Sequence, residues 1–316
     1  MSNIAKYVNK YSDYLEPGVY KFNDTYTRLY KEVGNINQVV DYNTGTGIVK
    51  KIKKIYKRLL YGNKIVVNKG EKKFNGTTML IPSMNYGIKV FSDNEVLTLY
   101  NDIDKLKREL DNYTKVSEYI NVPSIIKYGE NYYITNKINS TIYDKDEALN
   151  YIMDSYIKNN TKNKFKFVNK KYNSKRYRCL FKKIYDKIYV GDDYQAIIQH
   201  GDMWSGNVLY NKSFYIIDFE NVGDHYFLYD FFKYIYSEAY ILNDYKMLKN
   251  YFNSKYDDML VKYFNSLGLE YNPYDKVKYF YSFLNEFIED RIRTKNLYIF
   301  YKEIGFIKKV LKKINL

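Results

Sequence analysis

Apolar positions recur along this chain at two different periods. Over residues 101–120, Leu106, Leu110, Tyr113 and Val116 fall near helical spacing, which predicts a helix with one oily face. Residues 77–82 and 86–91 read instead as two strands around a Ser83-Met84-Asn85 turn, and 131–138 as a further strand. The strand and turn signal returns at Val208-Leu209-Tyr210 and Phe214-Tyr215-Ile216-Ile217, separated by the polar Asn211-Lys212-Ser213, with Ala196-Ile197-Ile198 leading in. Helical spacing resumes over 146–158, 231–236 and 277–300. Residues 48–60 and 304–316 each set an apolar stripe against a lysine-rich face. Ile304, Ile307, Leu311 and Ile314 line the second stripe, with Lys308, Lys309, Lys312 and Lys313 mostly opposite. Helices of this kind more commonly pack on their own fold, and an anionic membrane surface is the alternative partner.

Composition narrows the classes without naming one. A length of 316 residues allows roughly two domains of about 150 residues and an ample core. The chain shows neither an apolar run of about 18 residues nor a signal segment at its start, which predicts a cytoplasmic location. The formal charge is +15, a balance that attracts nucleic acid, anionic membranes and phosphorylated substrates. No nucleic-acid reading module accompanies it, so no nucleic acid is expected as partner. The 41 tyrosines are spread evenly, which argues against an aromatic binding surface. A single cysteine, Cys179, excludes an internal disulfide and a cysteine-cluster metal site, and two histidines argue against a zinc site.

Chemistry concentrates in Gln199-His200-Gly201-Asp202-Met203-Trp204-Ser205-Gly206-Asn207 and, across the predicted hairpin, in Ile217-Asp218-Phe219-Glu220. An Asp five residues before an Asn, with a second Asp after a short hairpin, is the arrangement of phosphoryl-transfer sites. Transfer of a γ-phosphoryl group asks little covalent work of a protein. It needs positioning, a carboxylate for the attacking hydroxyl, and hard oxygen ligands for Mg²⁺. Asp202 suits the first carboxylate, and Asn207 and Asp218 suit the metal. His225 reads as a loop residue beside this site.

These residues resemble the aminoglycoside phosphotransferase and choline kinase family within the protein-kinase-like fold. The resemblance continues through Gly223-Asp224 and Tyr229-Asp230. It implies an α+β, two-lobed fold, with a small antiparallel-sheet N-lobe over residues 63–138 and a larger, mainly helical C-lobe over 139–316. Residues 1–62 would be an extension accessory to the N-lobe. It also implies ATP and Mg²⁺ as cofactors, His200 as a shaper of the catalytic loop and Asp230 as a structural anchor. In the N-lobe it implies Lys89 as the phosphate-binding lysine and Glu109 as its helix partner, with Glu118 as the fallback. Adenine would bond the backbone near Asn136, Lys137 and Ile138, and residues 70–76 would cover the nucleotide. The implied activity is transfer onto a hydroxyl of a small molecule or glycan, such as choline, a surface sugar or an aminoglycoside. Glu286, Glu289 and Asp290 either face a cationic acceptor or form a solvated helix face, the commoner arrangement. The alternative function is a catalytically inactive, kinase-like binding protein associated with membrane or glycan-assembly partners.

Overall fold

A computed structural model describes residues 3–22, 28–32, 63–81, 87–162, 167–171, 191, 193–293 and 297–314. The chain divides into two compact units, one of residues 1–111 with 123–139 and the other of 112–122 with 140–316. The basic segment at 48–60, the Ser83-Met84-Asn85 turn and Cys179 lie outside the described residues.

The first unit is built on an eight-stranded sheet in which every described pairing is antiparallel. Two of its strands come from the first 62 residues, β1 (Gly18–Phe22) and β2 (Arg28–Lys31). The rest are β3 (Asn63–Val67), β4 (Thr78–Leu80), β5 (Gly87–Phe91), β6 (Glu95–Tyr100), β7 (Ile125–Tyr128) and β8 (Tyr132–Asn136), in the order β3-β1-β2-β4-β5-β6-β8-β7. The expected hairpin is β4 with β5, in which Leu80 faces Lys89. Strand β6 escaped the pattern reading because Leu97, Thr98, Leu99 and Tyr100 are all buried. A strand covered on both faces shows no alternation. Leu15, Tyr20, Leu29, Met79, Ile88, Val90, Leu97 and Leu99 form the core on this sheet, closed by Val8 and Tyr11 of helix α1 (Asn3–Tyr11).

Residues 70–76, expected to cover the nucleotide, engage part of their backbone donors within the fold. Lys73 N–H donates to Asp13 O at 2.8 Å and Gly76 N–H to Tyr14 O at 3.1 Å, so the segment is tied to the chain start. Phe74 is buried in the core beside it. These donors are spent on the fold.

Helix α2 (Ile103–Ser117) begins where Asp102 accepts the N–H of Asp104 at 3.0 Å through its Oδ1, an N-cap of the usual kind. Leu106, Tyr113 and Val116 are buried as the spacing predicted, and Leu110 is half-buried.

The second unit carries most of the helices. Helix α3 (Lys145–Lys162) is capped by Asp144 and runs past residue 158, where Asn160 is buried and donates to Ser266 Oγ at 3.1 Å. A three-stranded sheet follows, with β10 (Asp193–Gln199) between β9 (Val168–Lys171) and β13 (Gly223–Tyr226). Strands β11 (Val208–Asn211) and β12 (Ser213–Ile216) make the predicted hairpin, tighter than its sequence suggested. Asn211 pairs with Ser213, and Lys212 alone turns at φ 62°. Helices α4 (Tyr229–Leu242), α5 (Lys246–Phe252), α6 (Asp257–Ser266), α7 (Lys276–Arg293) and α8 (Leu297–Lys313) complete the unit.

Its core is aromatic. Phe232 packs on Tyr251, Phe280 and Phe283, and Tyr236 on Phe283, Phe287 and Phe306, largely edge to face. The buried Tyr251 phenol keeps a polar partner, donating to Lys276 O at 2.9 Å. Part of the tyrosine richness is thus structural. The α8 stripe of Ile304, Ile307, Val310 and Leu311 is buried against the protein, and Lys308, Lys309, Lys312 and Lys313 are exposed.

Candidate active site

The loop that leaves β10 is fastened by one carboxylate. Asp230, wholly buried in the first turn of α4, accepts the N–H of His200 at 2.7 Å on Oδ2 and that of Gly201 at 2.9 Å on Oδ1. The Tyr156 hydroxyl also donates to Oδ2, and Asp230 N–H donates to Gln199 Oε1 at 2.7 Å. Gly201 sits at φ +80°, and a Cβ there would lie 2.3 Å from Asn221 O. The tight turn therefore requires glycine on both counts.

His200 joins the loop to the hairpin. Its Nε2 lies 3.0 Å from Ile217 O, and its Nδ1 accepts Asp202 N–H at 3.3 Å, which together assign the hydrogen to Nε2. The ring is buried, edge-on to Phe219. Phe219 is held in turn by Tyr113, at 5.1 Å between ring centroids, and its carbonyl accepts Asn112 Nδ2 at 3.0 Å.

Asn207 closes the loop. Its Nδ2 donates to Asp202 O at 2.9 Å, which by the planarity of the amide turns the side-chain oxygen the other way. Its backbone carbonyl accepts Ile217 N–H at 3.0 Å, so Asn207 and Asp218 meet at one end of the hairpin. Asp218 holds φ at 75°, a left-handed conformation uncommon for a side chain with a Cβ. Strain of this kind concentrates at functional sites. The structure thus brings Asp202, Asn207 and Asp218 together. An amide oxygen with its nitrogen already engaged and a carboxylate at the hairpin end are hard ligands that fit Mg²⁺, which ordinarily keeps only one or two protein carboxylates.

Sequence reasoning missed Lys233. Its Nζ lies 3.0 Å from Asp202 Oδ1, with the lysine side chain 7% and the aspartate 32% exposed. The signal was present in Tyr229-Asp230-Phe231-Phe232-Lys233-Tyr234-Ile235-Tyr236. A helix apolar on every side is buried, and a charge inside it needs a partner.

The nucleotide-binding candidates lie in the other unit. Lys89 stands on β5 opposite Thr98 of β6, so both side chains share a face. Glu109 is buried and accepts the Tyr133 hydroxyl at 2.6 Å, whereas Glu118 is exposed. Asn136 N–H donates to Ser124 O at 3.0 Å and Lys137 N–H to Asn94 O at 2.8 Å. Both amides are engaged within the fold. Burial lowers the Lys137 pKa against the opposing charge of Asp93, while its Nζ donates to Ser92 O at 2.9 Å.

Glu286 and Glu289 do not form a solvated face. Both are buried on α7. Glu286 accepts Tyr226 N–H at 2.7 Å on Oε2 and pairs with His225 Nδ1 at 2.9 Å through Oε1. The His225 ring stacks on Tyr229, and its Nε2 lies 3.0 Å from Asn221 O. Burial opposes a charge on His225, but Glu286, the Asn221 carbonyl and Asp230 together outweigh it and raise the pKa above the ordinary 6.5. The pair therefore stabilises the fold fully below about pH 6.5, and that stabilisation is lost as pH rises through the higher pKa of the folded state. Glu286→Gln keeps an oxygen for Tyr226. It should melt about 2–4 °C below the wild type near pH 6, with the gap closing as pH rises through the raised folded-state pKa. A gap that does not change as pH rises would count against the charged pair.

No family model matches the chain, and no curated protein matches it. Among solved structures it is similar to the GDP and kanamycin complex of APH(2")-IIia, at 13% identity and TM-score 0.45, over 76% of this chain and 95% of that one. It is similar to the amicoumacin kinase hAmiN in complex with AMP-PNP, Ca²⁺ and Ami, at 14% identity and TM-score 0.44, over 72% of this chain and 85% of that one. It is also similar to the macrolide 2'-phosphotransferase type I, at 10% identity and TM-score 0.38, over 86% of this chain and 98% of that one.

Proposed function

We propose that this chain is an ATP- and Mg²⁺-dependent phosphotransferase that moves the γ-phosphoryl group onto a hydroxyl of a small molecule or glycan, such as choline, a surface sugar or an aminoglycoside. One observation carries the reading. Buried His200 and Asp230 tie the loop that carries Asp202 and Asn207 to the strand end that carries Asp218. A purely structural turn has no need of three oxygen-bearing side chains at one end of a loop and hairpin tied in this way.

Asp202 receives or orients the proton of the acceptor hydroxyl. Asn207 Oδ1 and the Asp218 carboxylate would hold Mg²⁺, which when bound neutralises phosphate charge. Lys89 contributes a second cation for the phosphates with Glu109 as its helix partner, and Ile138 N–H offers adenine a donor. Recognition of the nucleotide base by backbone explains why the base leaves no side-chain signature.

Thermal denaturation with ATP, with Mg²⁺ and with both tests the donor side. A ligand bound only by the native state at 100 times its Kd adds about 2.7 kcal/mol of apparent stability. The expected result is a shift that requires both components. No shift at millimolar nucleotide would favour the inactive binding protein. ADP release with choline, ethanolamine, aminoglycosides and surface sugars then screens the acceptor.

A further inference from the structure

Resting on that reading, we infer that Lys233 is a positioning residue for Asp202, its ammonium fixing one carboxylate oxygen so that the other meets the acceptor hydroxyl. An ammonium buried in an aromatic core is costly unless paired. An apolar residue would suit this stretch of α4 better, since Phe231, Phe232, Tyr234 and Ile235 around it are all buried. What the lysine reaches is Asp202 Oδ1 at 3.0 Å, with the Phe287 ring centroid 5.3 Å from Nζ. Asp202 Oδ2 lies 3.5 Å from Asn207 Nδ2, too long for a firm bond. Oδ1 is therefore the anchored oxygen and Oδ2 the working one.

In the reaction the acceptor O–H bond breaks and its proton goes to Oδ2 while the acceptor oxygen bonds to the γ-phosphorus. The bond from that phosphorus to the β–γ bridging oxygen breaks, and its electron pair leaves on ADP. Lys233 keeps its protons throughout. Once Asp202 is neutral the ammonium is no longer cancelled, and its charge favours negative charge on the group in transfer.

Lys233→Met replaces the ammonium with an apolar chain of similar length. Turnover is read as ADP release from MgATP, with water or an acceptor from the screen. Lys233→Met should melt within a few degrees of the wild type and bind MgATP unchanged in thermal denaturation. Its kcat should fall about 10–100-fold with little change in KM. In Lys233→Ala, n-propylammonium, the fragment deleted, should restore part of kcat, and it should restore none to Asp202→Ala. A merely structural lysine would not show this split. A folded Lys233→Met with kcat within about twofold of wild type overturns the inference, as does Lys233→Ala that ignores n-propylammonium. A wild-type chain that binds MgATP but releases no ADP to water or any acceptor overturns the phosphotransferase reading itself.

Discussion

Asp202→Asn should abolish all but a small remnant of phosphoryl transfer, a loss of about 10²–10⁴-fold in kcat, while MgATP still raises the melting temperature. The amide has the shape of the carboxylate but cannot take the hydroxyl proton. Stability will fall too, because Lys233 is left buried without its counter-charge. Breaking a fully buried pair costs about 3–5 kcal/mol. Asp202 is partly exposed, so about 1–3 kcal/mol is expected here. The double variant Asp202→Asn with Lys233→Met removes both charges and should recover most of that stability without recovering turnover. Loss of chemistry is thereby separated from loss of fold. A stable Asp202→Asn variant that turns over at the wild-type rate would remove Asp202 from the reaction.

What was legible in the sequence depended on whether a feature was local. Asp202, Asn207 and Asp218 lie within one loop and one hairpin, and the short spacing and the Val208 and Phe214 runs carried enough signal to place them at one end. Helix α2 was readable because a single apolar face repeats at Leu106, Tyr113 and Val116. Strand β6 was not, since burial on both faces erases alternation. Lys233 was missed for a different reason. Its partner lies 31 positions earlier in the chain, and only the packing of α4 against the loop after β10 reveals the pair. Within residues 70–76 the amides of Lys73, Phe74 and Gly76 bond to Asp13 and Tyr14, a use that no sequence pattern announces. Glu286 and Glu289 belong to the same class, since periodicity marked a helix there and could not tell which charged positions it would bury.

The largest effect on stability is expected at Asp230. Replacement by alanine withdraws the acceptor from His200 N–H, Gly201 N–H and the Tyr156 hydroxyl, all in a buried setting. Each unsatisfied donor costs about 1–3 kcal/mol, and neighbouring costs are less than additive, so about 3–5 kcal/mol is expected in urea denaturation. Asp230→Asn should recover little, because it supplies one acceptor oxygen and turns an NH₂ donor towards donors. The Gly201 peptide, already held at φ +80°, loses the bond that stabilises that conformation. His200 is then free to leave Ile217 O, and with it goes the link between Asp202 and the strand end that carries Asp218. Turnover should therefore fall even under conditions where Asp230→Ala remains folded by circular dichroism. If the variant instead stays within about 1 kcal/mol of the wild type, the carboxylate is replaceable by water and the loop is held by something other than Asp230.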